Sequence, residues 1–235
     1  MPQPGISVIV AALNEAGTIE ACVRRIRAVY PDDGEVLVVA GGTDATADRV
    51  DAMAAADPRV RCIRNPDDRG KGHAIRVGIA HAAAPIHAQI DADLQFLPEE
   101  LPRLADPIRR GEADVVLGTR FAPGATRLPG STPVVRTLGN KAVSAFASLL
   151  FGRRMTDVQA GMKAWRADAM RAIAIASDNY SYEVEIPAKA LLRGLRVAEV
   201  PVTTDNRQAG VTNVRVLAAG LALVRDILAF RLGWK

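Results

Sequence analysis

The amino-acid sequence predicts an α/β fold with a mostly parallel sheet flanked by helices and with further helices toward the carboxyl end. Apolar strand-like runs alternate with amphipathic helical segments through the first half of the chain. The 235 residues are 49% hydrophobic but only 4% aromatic, so Ala, Val, Leu and Ile dominate the core, as suits helices packed on a parallel sheet. We expect one domain, residues 1–235, with two halves that meet near residue 120.

Each element of the first half follows from its hydrophobic pattern. Apolar strands are predicted at Ile6–Leu13 and residues 35–39, and further strands at Val60–Arg64, residues 86–90 and residues 114–117. Helices are predicted between them, at residues 19–26, from a cap at Asp44 or Thr46 to about residue 56, at residues 71–83, and from Pro98 onward. Such alternation implies βαβ units with right-handed crossovers.

The second half has a different pattern. Residues 122–133 are rich in Gly, Pro, Ser and Thr and are predicted to form a loop, and residues 152–161 are predicted to be irregular. Further helices are predicted at Val134–Phe151, residues 167–176 and residues 183–192, and a strand at residues 196–203. A last helix begins near residues 210–213 and carries one apolar stripe, formed by Val214, Leu217, Leu221, Val224 and Leu228.

Charge is unevenly distributed along the chain. Residues 1–115 contain 13 Lys and Arg against 18 Asp and Glu, whereas the remaining residues contain 17 against 8. The basic second half suits a phosphate-bearing partner such as a nucleotide, a lipid phosphate or an anionic membrane surface. The alternative is a solvated basic surface without a partner. Nucleic acid is not expected, because this half lacks interleaved aromatic residues and a DNA- or RNA-binding motif.

Neither export nor membrane insertion is predicted. The first residues run directly into a strand without a signal peptide, and no stretch reaches the ~20 apolar residues of a membrane span. Cys22 and Cys62 are expected to be reduced thiols in apolar segments. We therefore expect a cytoplasmic protein, bound at most peripherally to the inner face of the cell membrane.

Three polar clusters follow predicted strands, at the edge of the sheet where α/β proteins bind ligands. They are Asn14-Glu15, Gly41-Gly42-Thr43-Asp44 and Asp91-Ala92-Asp93. Two carboxylates separated by one residue can share a hard cation such as Mg²⁺ or Mn²⁺. Asp91 and Asp93 are therefore candidate metal ligands, and Gln95 would add a carbonyl oxygen or orient a carboxylate. The alternative is an ordinary pair of surface aspartates.

These motifs occur in an order and spacing that resemble the inverting glycosyltransferase family 2, in the branch of dolichyl- and polyprenyl-phosphate sugar synthases. The matching segments are residues 7–15, 41–46, Asn65, 70–74, 91–95, Pro98-Glu99, 118–120, Asp157, Gly161, 199–202, Arg207 and Gly210. The resemblance covers most of the chain. It implies the GT-A fold, a nucleotide-sugar donor and a Mg²⁺ or Mn²⁺ cofactor. Residues 1–120 would bind the donor, and residues 121–235, which end in the amphipathic helix, would bind the acceptor.

The resemblance also implies roles for individual residues. The donor base and ribose would contact Ala11, Asn14, Glu15, Ala40, Gly41 and Asp44, with Asp91 and Ala92 beside the diphosphate. Arg120 would meet phosphate near the reaction centre, and Arg207 lies in a loop that would close on the diphosphate. Helix capping explains Asn14 and Asp44 equally well. The family usually has Pro in place of Ala11 and aspartates near residues 40–42, so the base stays open between guanine and uracil.

Lys71, Arg127, Arg136 and Asp157 are further candidates. Lys71 lies between two glycines at a helix N-terminus, which favours an anionic donor, although a loop requiring positive φ is the alternative. Arg127 and Arg136 flank the start of the apolar helix and would hold an acceptor phosphate, or else are exposed without a partner. Asp157 joins Asp93 and Arg120 as a candidate catalytic residue that positions or deprotonates the acceptor. Alternatively, it is a buried carboxylate that caps Gly161 or pairs with Lys163.

The reaction implied is a single displacement in which an acceptor oxygen attacks the anomeric carbon opposite the leaving diphosphate. An apolar helix between arginines and a C-terminal helix flanked by basic residues favour a polyprenyl phosphate acceptor at a membrane surface. Core packing or a homodimer seam explains both helices equally well. The competing functions are transfer to a soluble or glycan acceptor and nucleotide-sugar binding without catalysis, which the altered turn at residues 40–42 suggests.

Overall fold

The computed structural model describes residues 4–206 and 216–233, which form the predicted α/β architecture. The strands are β1 (Ile6–Leu13), β2 (Gly34–Gly41), β3 (Val60–Arg64), β4 (Ile86–Asp91), β5 (Val115–Thr119), β6 (Thr126–Arg127), β7 (Lys163–Arg166), β8 (Val197–Pro201) and β9 (Thr203–Thr204). The helices are α1 (Ile19–Val29), α2 (Thr46–Ala56), α3 (Lys71–His81), α4 (Leu101–Arg109), α5 (Val134–Phe151), α6 (Ala167–Ile173), α7 (Tyr182–Leu192) and α8 (Val216–Leu232). A short 3₁₀ turn at Pro98–Glu100 leads into α4.

The central sheet has the strand order β3-β2-β1-β4-β7-β5-β8. β1 pairs in parallel with β2 and β4, β2 pairs in parallel with β3, and β5 pairs in parallel with β8. The prediction of a mostly parallel sheet is therefore confirmed. The carboxyl ends of β1, β2 and β4 meet at one edge of the sheet, which brings the three polar clusters of the first half together.

One strand of the sheet was not predicted. β7 lies antiparallel between β4 and β5, and it carries Lys163 and Trp165, both fully buried. Its four residues begin and end with a cation, so the sequence shows no apolar run that would indicate a buried strand. The predicted strand at residues 196–203 also divides in two, because β9 leaves the large sheet and pairs with β6.

The core lies on both faces of the sheet. Val8 and Val10 of β1 point into a cluster on one face, with α1 and α4, while Ile9 points into a second cluster on the other face, which includes Ile75 of α3 and Ile186 of α7. Because both faces are covered, β1 and β2 are apolar over most of their length, as the sequence showed.

A third apolar cluster joins the helices of the second half. It is built from Val143 and Ala147 of α5, Val184 of α7, and Leu223 and Ile227 of α8, with neighbouring residues. α5 and α8 thus pack on the end of α7 and complete the wall of the molecule beside the carboxyl edge of the sheet.

The predicted stripe of α8 is not the face that packs in the core. Leu221 and Leu228 are 74% and 41% exposed, whereas Leu223, Ile227 and Phe230 are buried. α8 is apolar around most of its circumference, so periodicity alone could not select the packed face. Val214 and the start of this helix near residues 210–213 lie outside the described residues, and no helix within the described part of the chain is long and apolar enough to cross a membrane.

Candidate active site

A cleft of about 380 Å³ opens at the carboxyl edge of the sheet. One part of its wall is charged or polar, and it is formed by Lys71, Asp91, Gln95, Arg120, Arg136 and Glu183. Another part is apolar and includes Phe96, Val143 of α5 and Leu223 of α8. The cleft therefore offers both signs of charge at one end and an apolar surface beside them.

Asp91 and Asp93 lie differently although only one residue separates them. Asp91 ends β4 and lines the cleft, with its side chain 24% exposed. Asp93 is 2% exposed, and its Oδ1 accepts the Gln95 backbone N–H at 3.0 Å. The turn that follows Asp93 has a positive φ of 59° at Leu94, a conformation that non-glycine residues rarely adopt outside functional sites.

The surroundings of Asp91 fit a divalent cation. The Lys71 ammonium lies 2.7 Å from Asp91 Oδ1 and marks a position where a cation meets this carboxylate. Gly161 leaves space at the other oxygen, because a Cβ on this residue would lie 2.5 Å from Oδ2. No cluster of three or more His, Cys, Asp or Glu side chains suited to a metal occurs within residues 4–206 and 216–233. Two carboxylates would therefore leave part of the metal's shell to phosphate oxygens, as Mg²⁺ and Mn²⁺ sites often do.

Gln95 holds the same loop from its other side. Its Nε2 donates to the Ser131 carbonyl at 2.6 Å, which ties the turn after β4 to the loop before α5. The side chain also lines the cleft. The contact fixes the loop, and the two predicted roles of Gln95, as a metal ligand or in orienting a carboxylate, stay predictions.

Asn14 and Asp44 tie the ends of β1 and β2 together. Asn14 has a positive φ of 55°, and its Oδ1 accepts the backbone N–H groups of Thr43 at 2.9 Å and Asp44 at 3.2 Å. Asp44 accepts the N–H of Ala16 at 3.0 Å and that of Thr46 at 2.9 Å. Glu15 joins this network because its N–H donates to Thr46 Oγ1 at 2.8 Å. These contacts stabilise the turns after β1 and β2. The alternative of helix capping is wrong, because the caps of α1 and α2 are Thr18 and Ala45 and neither helix has a side-chain cap hydrogen bond. Contacts with the donor stay a prediction.

Ala11, Ala40 and Gly41 line the adjacent strand ends. Ala11 lies opposite Asp91 in the register of β1 and β4. Asp68 lies against Gly41, since a Cβ on Gly41 would be 3.2 Å from the Asp68 Cβ. The sequence did not single out Asp68, which places a carboxylate beside the turn that lacks the aspartates usual in the resembling family.

The glycines around Lys71 approach the protein's own backbone. A Cβ on Gly72 would overlap the Ser177 carbonyl, and the N–H of His73 donates to the Asp178 carbonyl at 3.0 Å. Gly70 has a φ of +126°, so the alternative of a loop requiring positive φ is confirmed. The N-terminus of α3 is therefore covered by residues 177–179, and it is the Lys71 side chain that reaches the cleft.

Four charged side chains form a chain of contacts at the cleft floor. Lys71 Nζ contacts Asp91 at 2.7 Å and Glu183 Oε1 at 2.9 Å, and the other oxygen of Glu183 accepts from Lys163. Burial alone would lower the pKa of Lys71, but Asp91 and Glu183 outweigh it and raise the pKa well above its usual value. Burial would likewise raise the pKa of Glu183, but Lys163 and Lys71 lower it, so both groups stay charged.

Asp157 and Arg120 form a buried ion pair. Asp157 is fully buried and accepts from Arg120 Nε at 2.6 Å and Nη2 at 2.8 Å. The alternative that Asp157 pairs with Lys163 is therefore wrong, because the fork of Arg120 fits the carboxylate with two parallel bonds. Glu199 of β8 accepts the N–H groups of Thr156 at 2.7 Å and Asp157 at 3.1 Å and fixes this turn. Arg120 lines the cleft whereas Asp157 lies behind it, which favours positioning over deprotonation.

The remaining arginines lie around the start of α5. Arg136 lines the cleft, and Arg127 is exposed, with its Nη1 donating to Thr137 Oγ1 at 3.1 Å. The guanidinium groups of Arg120 and Arg127 lie 5.2 and 5.5 Å from the Phe121 ring centroid and the Lys141 ammonium lies 5.5 Å from it, so three cations share one ring. Arg207 lies outside the described residues.

The sequence indicated Lys163 only as an alternative partner of Asp157, and it did not single out Glu183. Both are buried, and they are paired across the sheet and α7. One signal was present: α7 carries charged residues in an otherwise apolar segment, and a charge that is buried must find a partner. The partner itself lies on β7, which the sequence did not predict.

The fold and the cleft define a GT-A glycosyltransferase. The structure superposes on glucosyl-3-phosphoglycerate synthase from Mycobacterium tuberculosis, solved in complex with Mn²⁺, uridine diphosphate and phosphoglyceric acid, with a TM-score of 0.73, 22% identity, and coverage of 99% of this chain and 78% of that one. A further structure of that enzyme, with Mn²⁺, uridine-diphosphate-glucose and phosphoglyceric acid, gives a TM-score of 0.75 at 24% identity, with coverage of 99% of this chain and 80% of that one.

The chain belongs to glycosyl transferase family 2, whose family model matches residues 7–144. It is 31% identical over 225 residues to undecaprenyl-phosphate mannosyltransferase of Micrococcus luteus, covering 93% of this chain and 91% of that relative. It is 30% identical over 214 residues to polyprenol monophosphomannose synthase of Mycolicibacterium smegmatis, covering 88% and 80%. It also spans about half of the low-salt glycan biosynthesis hexosyltransferase Agl6 of Haloferax volcanii, at 30% identity with coverage of 96% and 53%. The chain is thus a glycosyltransferase with homologues that act as polyprenyl-phosphate sugar transferases.

Proposed function

We propose that the protein transfers a sugar from a nucleoside-diphosphate sugar to a polyprenyl phosphate, with inversion, assisted by Mg²⁺ or Mn²⁺. The observation that carries the proposal is the joining of three features in one cleft. Asp91 offers a carboxylate at the end of β4, Arg120 and Arg136 offer positive charge, and α5 and α8 offer an apolar wall. The carboxylate suits the metal on a diphosphate, the arginines suit an anionic acceptor, and the apolar wall suits a lipid chain.

The donor is proposed to lie along the carboxyl ends of β1, β2 and β4. Its base and ribose would contact the residues named from the sequence, namely Ala11, Asn14, Glu15, Ala40, Gly41 and Asp44, and its diphosphate would lie beside Asp91, Ala92 and Lys71. Asp91 and Asp93 would hold the divalent cation, with Gln95 orienting the loop. When bound, the cation would neutralise negative charge on the departing diphosphate. The M. tuberculosis neighbour, crystallised with Mn²⁺ and uridine diphosphate, supports this arrangement.

The acceptor phosphate is proposed to contact Arg120 and Arg136. A phosphate oxygen is already ionised at neutral pH, so it needs no strong general base before attacking the anomeric carbon. Asp157 holds the fork of Arg120 in place and is fully buried, which suits a positioning role. The named activities of the Micrococcus and Mycolicibacterium relatives support a polyprenyl acceptor.

The surface beside the cleft suits contact with the headgroup region of a bilayer. At the start of α5, Val134, Val135 and Leu138 are 75%, 69% and 63% exposed, next to Arg136. Leu221 of α8 is 74% exposed. Exposed apolar side chains interleaved with cations favour an anionic membrane interface, so the protein is proposed to act peripherally at the inner face of the cell membrane.

A transfer assay with a radiolabelled sugar tests the function. Purified protein is incubated with nucleotide sugars, Mn²⁺ and a short-chain polyprenyl phosphate, after thermal-shift screening has selected the donor that raises the melting temperature. We expect transfer that requires the metal, inverts the anomeric centre and falls at least about a hundredfold in Asp91→Ala, because charge on the leaving diphosphate is no longer neutralised. Asp106→Ala, an exposed aspartate on α4, is the matched control and keeps full activity.

The competing functions give different results in the same assay. Transfer to a soluble phosphorylated or glycan acceptor, but not to polyprenyl phosphate, would replace the lipid acceptor in the proposal. Donor binding without hydrolysis or transfer to any acceptor would identify a non-catalytic module. Full metal-dependent turnover in both Asp91→Ala and Asp93→Ala would refute the site assignment.

A further inference from the structure

The Lys71 ammonium lies where a metal cation would meet Asp91. Its Nζ is 2.7 Å from Asp91 Oδ1 and 2.9 Å from Glu183 Oε1, and the Lys71 side chain is 17% exposed at the cleft. Asp91 thus has a positive partner supplied by the chain itself. A divalent cation that binds this carboxylate must displace the ammonium or share the carboxylate with it, and two like charges at such a distance repel each other.

Glu183 holds Lys71 from the opposite side. Its Oε1 accepts the Tyr182 hydroxyl at 2.6 Å in addition to Lys71, and its Oε2 accepts from Lys163. Tyr182 in turn accepts from Gln89 Nε2 at 3.1 Å. Glu183 is therefore fixed by the core rather than by the cleft.

Lys163 completes the arrangement from beneath. It is fully buried, and its ammonium also donates to the Ala160 carbonyl. Because Lys163 neutralises Glu183 within the core, the pair can keep contact with Lys71 whether or not Lys71 stays on Asp91. Lys71 and Lys163 offset the charges of Asp91 and Glu183, so a divalent cation held by Asp91 and Asp93 adds positive charge beyond that of Asp93, which an incoming diphosphate would offset.

We infer that Lys71 is an exchangeable counter-cation of Asp91, and that Glu183 is a positioning residue that keeps its ammonium in the cleft when a divalent cation binds Asp91. The inference rests on the proposed function, because the diphosphate of the donor is the group that Lys71 would then meet. Lys71 therefore competes with the metal before the donor arrives and attracts the donor afterwards.

Metal and nucleotide affinities measured separately test this inference. Mn²⁺ is titrated into the full chain without nucleotide and followed by electron paramagnetic resonance. A nucleoside diphosphate is then titrated calorimetrically at saturating Mn²⁺. In Lys71→Met we expect Mn²⁺ to bind about tenfold more tightly and the nucleoside diphosphate about tenfold more weakly, since one positive charge has left the site. A merely structural role would weaken both.

Two further variants serve as controls. Lys71→Arg keeps the charge and is expected to preserve weak Mn²⁺ binding and tight nucleotide binding. Arg24→Met removes a cation from an exposed pair on α1, where the Arg24 side chain is 68% exposed, and is expected to change neither affinity.

A double-mutant cycle tests the role of Glu183. In Glu183→Gln, Lys71 keeps Asp91 as its carboxylate partner, so Mn²⁺ is expected to bind several-fold more weakly than in the wild type. Combined with Lys71→Met, the Glu183→Gln substitution is expected to weaken Mn²⁺ binding less than it does in the wild type, because only the direct loss of one negative charge remains. Thermal melting shows whether each variant is folded, and if Glu183→Gln is not, the comparison of Lys71→Met with Lys71→Arg decides.

Three outcomes would overturn the inference. They are Mn²⁺ affinity in Lys71→Met that is equal to or weaker than in the wild type, no measurable Mn²⁺ binding by either protein, and a Glu183→Gln effect that is undiminished without Lys71. If the wild type still transfers sugar with Mn²⁺, only this inference fails. If the wild type neither binds the nucleotide nor transfers sugar, the proposed function fails instead.

Discussion

At the scale of single residues, the Asp157–Arg120 pair shows how burial increases the contribution of a charged residue to the stability of the fold. The Asp157 side chain is fully buried and that of Arg120 is 8% exposed, and Arg120 donates two bonds to the carboxylate. Burial acts to lower the pKa of Arg120, but Asp157 outweighs it and raises the pKa above its usual value. Removal of the negative charge would therefore leave an uncompensated guanidinium inside the protein.

We predict that Asp157→Asn lowers the free energy of unfolding by about 3 kcal/mol, because Arg120 loses its buried counter-charge. Asp168→Asn is the matched control. Asp168 also accepts two bonds from one arginine, Arg166, but these side chains are 52% and 41% exposed. We expect the control to lose less than about 1 kcal/mol. Urea unfolding at neutral pH measures both, and equal losses would contradict the assignment of Asp157 as a buried structural partner.

Residues of the site were predictable where a local pattern marked them. Asp91 follows the predicted strand at residues 86–90, which is buried on both faces, so its place at the carboxyl end of a strand could be predicted from the sequence. Glu183 could not be assigned, because its contacts with Lys71 and Lys163 join segments that are far apart in the chain. Pairing of this kind depends on the folded sheet, which no local pattern encodes.

At the scale of elements, Asp114 joins β5 to β8 at the end of the sheet away from the cleft. Its carboxylate accepts from Arg196 Nε at 3.0 Å and Nη2 at 2.8 Å, and the Asp114 side chain is 8% exposed. The hydrogen bonds of Arg196 outweigh burial and lower the pKa of Asp114 to about 2. The contact should therefore stabilise the sheet edge in a pH-dependent way.

The direction of the pH dependence of stability follows from the lowered pKa of Asp114. The stabilisation is fully present above the unfolded-state pKa of about 3.9 and is lost as the pH falls through the folded-state pKa. Between pH 7 and pH 3 the wild type should lose about 1 kcal/mol that Asp114→Asn does not lose. Urea unfolding of both proteins at the two pH values measures the difference. Parallel pH dependence in the two proteins would show that the ion pair adds nothing to the joint between β5 and β8.

Elements were predictable to different degrees for physical reasons. β1 and β2 are apolar along their length because helices cover both faces of the sheet, and their bounds were close to those predicted. β7 was not predicted because it contains Lys163, a charged residue that is not expected in a buried strand. The charge of Lys163 is offset by Glu183 of α7, and the local sequence does not show that pairing. The prediction of which face of α8 is packed was wrong, because the helix is apolar on more than one side. Packing against α5 and α7 decides which side is buried.

At the scale of the whole molecule, the start of α5 exposes apolar residues on the side where its Arg136 and Asn140 line the cleft. Val135 and Leu138 of α5 are 69% and 63% exposed. If this side contacts a bilayer, the acceptor phosphate enters the cleft without leaving the interface. The basic second half would add an attraction to anionic lipid that weakens as salt rises.

We predict that the double variant Val135→Ser, Leu138→Ser partitions onto vesicles containing anionic lipid at least about tenfold less than the wild type, because less apolar area enters the interface. Leu192→Ser is the control, since Leu192 is 45% exposed at the end of α7. Sedimentation with vesicles at two salt concentrations measures partitioning. The double variant should also have a raised KM for a long-chain acceptor and an unchanged KM for a short-chain one. Unchanged partitioning would mean that this side faces a different partner or water.

The position of β7 has a consequence for synthesis of the chain. β4 and β5 have no hydrogen bonds to each other in the described sheet, because β7 lies between them. A nascent chain that had emerged only as far as residue 120 would therefore present two open strand edges, each able to pair with a wrong segment or a neighbouring molecule. The ribosome must deliver residues 163–166 before the gap can close, so the first half of this protein stays vulnerable to aggregation until the second half has been made.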